Sequence, residues 1–465
     1  MKLHFLGAAE SVTGSCYVLE TANSRVMIDC GMYQERDLQG RNWEPIPIAA
    51  SSIDVLLLTH AHLDHSGLLP KLMKEGFKGE IYCTAATAEI AEIILMDSAK
   101  IQKEDVRKKI KRHRRQKRKS PRPPAPLYEM EDVTACKKAF RTVKYDEPVT
   151  VAEGVEARFH DAGHILGSSM LELSCKDTDG PRRVVFSGDI GHLDVPLLKN
   201  PTLLTAADVV VMESTYGDRT HESNDDVDER FAAFVNETVA AGGNLIIPSF
   251  AVERTQELLY HIGKLRMDRR IPSIMVFVDS PMAIRVTEVF RHHPELFDKE
   301  TQEMLEQGTH PCDFPGLTMS RTVAQSKAIN LIRGSAIVIA GSGMCTGGRV
   351  KHHLKNNLDR EESTLLFVGY QAHGTLGRHI LEKPEEVRIF GEQYPVRLRI
   401  EKLNGMSGHA DRDGLMRWLS AFEAAPQHLF LTHGEKSVSH KLSKHIDSEL
   451  GLHAAVPAYL SEADI

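Results

Sequence analysis

The stretch HAHLDH, residues 60–65, brings four metal-binding side chains into six residues. A short apolar run just before it predicts a buried strand that ends at this stretch. In extended backbone, residues i and i+2 point to the same side, so His60 and His62 can share one metal ion. Asp64 and His65 then turn toward a second metal ion. A solvated histidine cluster is the alternative, which the preceding apolar strand argues against.

Two zinc sites need more ligands than this stretch supplies, because a catalytic zinc takes about three protein ligands and one open position. Three further candidates, His164, Asp189 and His433, each follow a strand-like run. Taken alone, each has an ordinary interpretation as a capping or hydrogen-bonded residue. Ligands of α/β proteins bind at the carboxyl ends of strands, so we expect these residues to converge on residues 60–65.

The composition is that of a globular enzyme, with 465 residues and a formal net charge of −7. This mildly acidic balance excludes a protein that coats nucleic acid through bulk charge. The 7 cysteines form no CxxC pair, which argues against a disulfide framework and a thiolate zinc site and suits a reducing compartment. The sequence contains no apolar run long enough to predict a membrane span, so we expect a cytoplasmic protein.

Short apolar runs alternate with amphipathic segments, a pattern that predicts an α/β fold of layered sheets. The predicted helices cover residues 229–241, 253–267, 349–357, 414–424 and 440–450. The predicted strands cover residues 16–20, 25–28, 55–58, 80–83, 170–173, 184–186, 209–212, 245–247, 275–278, 336–339, 365–368 and 429–431.

Residues 107–119, RKKIKRHRRQKRK, form a strongly basic run that four prolines soon follow. Charge runs are commonly solvated surface segments without a partner. The alternative is an arm that grips nucleic-acid phosphates, with Arg112, Arg114 and Arg115 among its contacts. The sequence leaves both interpretations open.

The order of these motifs resembles the metallo-β-lactamase superfamily and, within it, the β-CASP nucleases. The superfamily motifs are Asp29, residues 60–65, His164 and Asp189. Three further strings are similar to the motifs that separate β-CASP proteins from other lactamase-like enzymes: MESTYG (212–217), SGHAD (407–411) and LTHGE (431–435). The loops PSFAVER (248–254), DSPM (279–282) and GSGMCTGGR (341–349) are also similar to strand-end loops of that family.

The resemblance implies an αβ/βα sandwich with an inserted α/β β-CASP domain. The lactamase domain would comprise residues 1–212 and 400–465, and the insertion residues 213–399. Position by position, the first zinc ion would be held by His60, His62 and His164, and the second by Asp64, His65 and His433. Asp189 would bridge the two ions, and Asp29 would orient a ligating imidazole.

The activity that the resemblance implies is that of a zinc-dependent ribonuclease, similar to bacterial and archaeal relatives of the nuclease subunit of the cleavage and polyadenylation specificity factor. A hydroxide activated by two metal ions would attack the phosphodiester. His409 would be the general acid with Glu213 beside it, and Asp64 would also serve catalysis. We expect the substrate to be RNA, in single-stranded form, and not DNA, because this chain has a histidine, His433, in the third motif.

Endonucleolytic cutting is the first interpretation. A 5′-to-3′ exoribonuclease, a small-ester metallohydrolase and a non-catalytic RNA-binding scaffold are the alternatives. The scaffold is the weakest of these, because no ligand residue is missing. A homodimer stays open as the oligomeric state.

The glycine-rich segment 341–348 lacks the ending of a nucleotide-triphosphate loop. It is either a strand-to-helix turn or a cradle whose amides, with Ser342, Gly343 and Arg349, bind an RNA phosphate. Tyr370, together with two nearby histidines, His373 and His379, is a candidate of the same kind.

Overall fold

The computed structural model describes residues 1–116, 124–177, 180–221, 226–332 and 334–465. The chain forms two compact units, each built on its own sheets. The first unit comprises Met1–Leu193, Asn200–Thr220 and His409–Ile465, and the second comprises Asp194–Lys199 and His221–Gly408. The α/β class that the sequence predicts is confirmed.

The helices and strands of the chain up to Glu213 belong to the first unit. They are, in order, β1 Lys2–Phe5, β2 Tyr17–Glu20, β3 Arg25–Ile28, β4 Val55–Leu57, α1 Leu63–Ser66, α2 Leu69–Lys74, β5 Glu80–Thr84, α3 Ala85–Gln116, α4 Met130–Lys137, β6 Phe140–Val143, β7 Val149–Ala152, β8 Val155–Asp161, β9 Ser169–Asp177, β10 Gly180–Phe186 and β11 Val209–Glu213. Two short 3₁₀ turns, Gln39–Trp43 and Ala50–Ser52, precede β4.

The second unit follows, and the chain then returns to the first. The second unit contains α5 Val227–Ala240, β12 Leu245–Pro248, α6 Arg254–Met267, β13 Met275–Asp279, α7 Pro281–His292, a 3₁₀ turn Pro294–Leu296, α8 Lys299–Glu306, β14 Leu317–Met319, α9 Val323–Ile329, β15 Ala336–Ala340, α10 Val350–Asn357, β16 Thr364–Phe367, α11 Leu376–Leu381, β17 Glu386–Ile389, β18 Glu392–Pro395 and β19 Arg399–Lys402. The return segment adds α12 Arg412–Leu419, β20 His428–Thr432, α13 Lys436–Leu450, β21 Ala454–Ala455 and β22 Glu462–Asp464.

Two seven-stranded sheets form the first unit, in the orders β22-β1-β2-β3-β4-β5-β6 and β21-β20-β11-β10-β9-β8-β7. Side chains from both sheets share one apolar core, in which Leu3, Phe5 and Leu57 of one sheet join Phe159 and Val184 of the other. The alternation in the first part of β8 explains this packing, since Val155, Ala157 and Phe159 are buried and apolar, whereas Glu156 and Arg158 between them are charged and less buried. The unit is therefore a sandwich of two sheets.

The second unit is built on a six-stranded sheet of order β14-β13-β15-β12-β16-β19, and all its strand pairs are parallel. Leu245 and Ile247 of β12 enter one apolar cluster, whereas Ile246 between them enters another. Both faces of the sheet are thus buried, as expected for a parallel sheet covered on both sides by helices. A separate hairpin pairs β17 with β18.

The boundaries between the units lie downstream of those that the sequence suggested, 212/213 and 399/400. Glu213 is the last residue of β11, which pairs with β10 and β20 in the first unit, so the chain leaves that unit only after this strand. At the other end, β19 pairs with β16 and belongs to the sheet of the second unit. The strand pairing therefore places β11 in the first unit and β19 in the second.

The helix α3, Ala85–Gln116, is not among the helices that the sequence predicts. Its first half buries Ala86, Ile90 and Ile94, one turn apart, whereas residues 107–116 of the basic run continue the same helix with mostly exposed side chains. Residues 117–119 of the run and the first two of the prolines lie outside the described residues. Within the described ranges, none of the helices combines the length and the apolar character that crossing a bilayer requires.

Candidate metal centre

Strand ends of the first unit deliver the predicted ligands to one place. His60 follows β4 of the first sheet, whereas Asp189 and His433 follow β10 and β20 of the second sheet. The loop after β8 carries His164. All seven predicted ligands belong to two groups of potential donor atoms, each group lying within 4.8 Å. The structure therefore brings together the residues that the sequence selected.

The first group contains three imidazoles and one carboxylate oxygen. His62 Nδ1 lies 3.1 Å from His60 Nε2 and 3.1 Å from His164 Nε2. Asp189 Oδ2 lies 3.4 Å from His60 Nε2 and 3.5 Å from His164 Nε2. Tetrahedral zinc with bonds of about 2.0–2.1 Å separates its ligand atoms by about 3.3–3.4 Å. These four atoms therefore fit one zinc ion.

The second group is built around His65 and His433, whose Nε2 atoms lie 3.1 Å apart. Asp64 Oδ2 lies 3.5 Å from His433 Nε2, and Asp189 Oδ1 lies 3.3 Å from His65 Nε2. Asp189 Oδ1 is buried and accepts no hydrogen bond from any described residue. A buried carboxylate oxygen without a hydrogen bond is costly, so its environment fits a cation ligand.

The charges of the cluster favour a cation. Burial opposes the ionised form of Asp189, but His433 and His65 outweigh this effect and hold the pKa of Asp189 well below its usual range. Burial lowers the pKa of His60 and His62, which therefore offer neutral nitrogen atoms. Burial also opposes the charged forms of His65 and His433, yet Asp189 raises the pKa of both. Because metals bind ionised carboxylates and neutral imidazoles, a cation at the second group would displace the protons of His65 and His433.

Asp29 fixes the orientation of one imidazole. Its Oδ2 lies 2.7 Å from His65 Nδ1, which directs His65 Nε2 toward the second group. Asp29 also accepts hydrogen bonds from the backbone N–H and the hydroxyl of Thr59, both at 2.8 Å. Its backbone has φ +56°, a left-handed conformation that is uncommon outside glycine.

Two threonines support the centre, and sequence reasoning gave neither of them a role. Thr59 Oγ1 lies 3.1 Å from His60 Nδ1, so His60 presents Nε2 to the first group. Thr215 Oγ1 lies 3.0 Å from His433 Nδ1 and donates to the backbone oxygen of His433, whose φ is +51°. Their positions in the sequence were the available signal, because Thr59 directly precedes His60 and Thr215 lies in the MESTYG motif, residues 212–217.

A glycine allows the loops of the second group to meet. A Cβ atom at Gly31 would lie 1.6 Å from the backbone oxygen of Asp64. The backbone after Asp29 can therefore pass this closely only without a side chain. A similar close approach occurs in the first group, where a Cβ at Gly191 would lie 1.8 Å from Gly163 O.

His409 and Glu213 form a pair beside the candidate metal ligands. Glu213 is 1% exposed and accepts a hydrogen bond from the N–H of Ile190. His409 Nδ1 lies 3.3 Å and 3.4 Å from its two carboxylate oxygens, and the His409 ring centroid lies 4.5 Å from that of His164. Burial lowers the pKa of His409, but the carboxylates of Glu213, Asp189 and Asp64 together raise it to about 9. This histidine can therefore hold a proton at neutral pH.

The predicted RNA-contact residues lie apart in the chain from these motifs. Arg112, Arg114 and Arg115 are exposed near the end of α3. In the second unit, Arg349 donates to Asp279 Oδ1 at 2.7 Å and to Ser320 O at 2.8 Å, so its charge is paired. The nearby hydroxyl of Ser342 accepts a hydrogen bond from Gly347, and Gly343 contacts the ring of Phe250.

Three family models match successive parts of the chain. The metallo-beta-lactamase superfamily matches residues 11–229, and the Beta-Casp domain matches residues 255–380. A Zn-dependent metallo-hydrolase RNA specificity domain matches residues 393–457. The resemblance that the motifs indicate is confirmed.

Characterised relatives extend over almost the whole chain. Ribonuclease TTHA0252 of Thermus thermophilus is 37% identical over 94% of this chain and 94% of its own length. Transcription termination factor FttA of Methanosarcina mazei is 29% identical over 96% of this chain and 68% of its own length. An RNase J-like protein of Methanocaldococcus jannaschii is 27% identical over 98% of this chain and 97% of its own length.

A solved structure has a similar fold. A protein of unknown function from Enterococcus faecalis V583 matches with a TM-score of 0.56 and 12% identity, covering 100% of this chain and 99% of its own. At this level of identity the match concerns the fold alone.

Proposed function

Because the chain belongs to the β-CASP branch of the metallo-β-lactamase superfamily and is a metal-dependent hydrolase, we propose that it is a zinc-dependent ribonuclease that cuts RNA internally. The observation that carries this proposal is the position of Asp189. Its Oδ2 faces the first group of imidazoles, 3.4 Å from His60 Nε2. Its Oδ1 faces the second group, 3.3 Å from His65 Nε2. A carboxylate shared in this way suits the two-metal sites of phosphodiester hydrolysis.

The two ligand groups would each hold one zinc ion. The first ion would be held by His60, His62 and His164 and the second by Asp64, His65 and His433, and Asp189 would contribute one oxygen to each. Zinc, when bound there, supplies Lewis-acid stabilisation of charge on the phosphate and activates a water molecule for attack at phosphorus. Asp29 keeps the His65 imidazole turned toward its ion.

His409 is the proposed general acid. Its Nδ1 faces Glu213, so we assign proton donation to Nε2. When the bond between phosphorus and the 3′-oxygen breaks, His409 protonates that oxygen, and the products carry a 5′-phosphate and a 3′-hydroxyl. Glu213 stabilises the protonated imidazole and fixes its orientation, in part because its own carboxylate is held by Ile190 N–H.

RNA contacts outside the centre are proposed for the basic end of α3. Seven Lys or Arg residues lie between positions 107 and 116, and Lys108 is the one that pairs with acidic side chains, Glu104 and Asp105, among the described residues. The other six cations are available to phosphates of a single-stranded RNA. In the second unit, the loop with Ser342 and Gly343 stays a second candidate for a phosphate contact.

The alternatives differ in what they require. A 5′-to-3′ exoribonuclease would use the same centre, and a small-ester hydrolase would not need a second unit with its own sheet. A non-catalytic scaffold would not need to keep all seven ligands in ligand geometry. We propose a cytoplasmic protein, because all seven cysteines are free and buried, which suits a reducing compartment. A homodimer stays open.

Circular RNA separates internal cutting from trimming. The metal-loaded protein should linearise a circular single-stranded RNA, since an endonuclease needs no chain end, and mapping of the product should find a 5′-phosphate and a 3′-hydroxyl. A linear RNA of the same sequence is the control. Cutting of the linear RNA alone, with mononucleotides released from its 5′ end, would replace the proposal by the exonuclease.

Replacing His409 tests the division between acid and ligand. His409→Ala should keep its metal yet cut RNA about 10²- to 10⁴-fold more slowly, the usual effect of general acid catalysis. His433→Ala is the matched control and should lose metal as well as activity. Elemental analysis and single-turnover rates measure both effects. Metal loss in His409→Ala with full loading of His433→Ala would show that the two assignments are exchanged.

Salt dependence tests the basic end of α3. Replacement of Arg112, Arg114 and Arg115 by Gln preserves helix propensity. It should reduce the magnitude of the slope of log affinity against log salt concentration by up to about 2, because each single-strand phosphate contact contributes about 0.7 to that slope. Removal of three exposed lysines elsewhere, Lys78, Lys138 and Lys444, changes the net charge equally and should leave the slope unaltered. An unaltered slope in the α3 variant would identify a solvated surface segment.

A further inference from the structure

Two exposed aromatic residues occur at one edge of the parallel sheet in the second unit. Phe250 follows β12 and is 42% exposed, and Tyr370 follows β16 and is 59% exposed. Strands β12 and β16 are hydrogen-bonded neighbours and run parallel, so both aromatics leave the sheet at the carboxyl edge. This edge of a parallel sheet is where ligands bind.

The ring of Phe250 rests on two glycines of neighbouring loops. A Cβ atom at Gly343 would lie 2.8 Å from Phe250 Cδ2, and one at Gly369 would lie 3.6 Å from Phe250 Cε2. Gly369 directly precedes Tyr370, so the backbone of Tyr370 begins next to the ring of Phe250. The absence of side chains at both glycines is what lets the ring sit this close to the backbone.

Hydrogen bonds join the loops after β15 and β16 and fix the backbone of the loop that carries Phe250. Gln371 Nε2 donates to Gly343 O at 3.0 Å and to Gly369 O at 3.3 Å. The backbone oxygen of Phe250 accepts hydrogen bonds from Ser249 Oγ at 3.0 Å and Thr255 Oγ1 at 2.6 Å. The base of the Phe250 side chain is therefore fixed while a large part of its ring faces solvent.

We infer that Phe250 and Tyr370 form a stacking surface for two bases of single-stranded RNA. This inference rests on the proposed function and adds a base-binding site within the second unit. Exposed apolar area is unfavourable in water, whereas aromatic rings that are fixed before binding lose little entropy when a base stacks on them. Stacking needs a flat π surface and no particular base, so the site would bind RNA without strong sequence preference.

The competing explanation is that Phe250 only packs the loops. A leucine preserves apolar contact with Gly343 and Gly369 but has no flat face, so Phe250→Leu separates packing from stacking. Tyr370→Leu removes the more exposed ring and serves as the second variant. Phe390 is 54% exposed and lies between β17 and β18, on the separate hairpin, so Phe390→Leu is the matched control.

The experiment measures affinity for a fluorescent single-stranded RNA, with every variant made in the metal-loaded His409→Ala protein so that the RNA is not consumed. Loss of one stacked base should weaken binding about 5- to 150-fold in Phe250→Leu and in Tyr370→Leu. Phe250→Tyr and Phe390→Leu should bind like the parent protein. A set of RNAs with one abasic residue at successive positions then locates the stacked bases.

At the position stacked on Phe250, the abasic RNA should bind the parent protein and Phe250→Leu equally, because the interaction is already lost. If Phe250→Leu lowers the affinity equally for every RNA of the set, whatever the position of the abasic residue, Phe250 only packs the loops and the inference is overturned. Unaltered affinity in both leucine variants would also overturn it. Those results leave the proposed function intact. Failure of the parent protein to bind RNA would overturn both.

Discussion

The carboxylate of Asp189 is the constraint on which the first unit depends. It is 2% exposed, and its two oxygens face separate sets of imidazoles. Such a position exists only where β10 ends against the loops that follow β4, β8 and β20. The sandwich of two sheets brings these ends together, since β4 belongs to one sheet and the other three strands to its partner.

The same carboxylate explains the electrostatics around it. It raises the pKa of His65 and His433 against the effect of burial, so the cluster already favours positive charge at the second group. A buried carboxylate is stable only with a partner charge or a metal ion.

The clustering of the seven candidate ligands could be predicted from sequence because spacing and strand ends carry local information. The HAHLDH stretch and the residues after three apolar runs were sufficient to select seven side chains that the structure brings together. The roles of Thr59 and Thr215 could not be predicted, because each depends on contacts with residues that are placed by tertiary packing. The pairing of Arg349 with Asp279 is of the same kind, since it joins the loop after β15 to the last residue of β13. The unit boundaries depend on which sheet takes β11 and β19, and strand-like sequences do not specify their partners.

The zinc content of Asp189→Ala tests the central role of this carboxylate most directly. Elemental analysis of the purified parent protein should find about two zinc ions per chain, and the variant should lose zinc from both groups together with RNA cleavage. Glu213→Gln, which alters a buried carboxylate at the end of the adjacent strand β11, should keep both ions. Two zinc ions and normal cleavage in Asp189→Ala would contradict a shared ligand at this position.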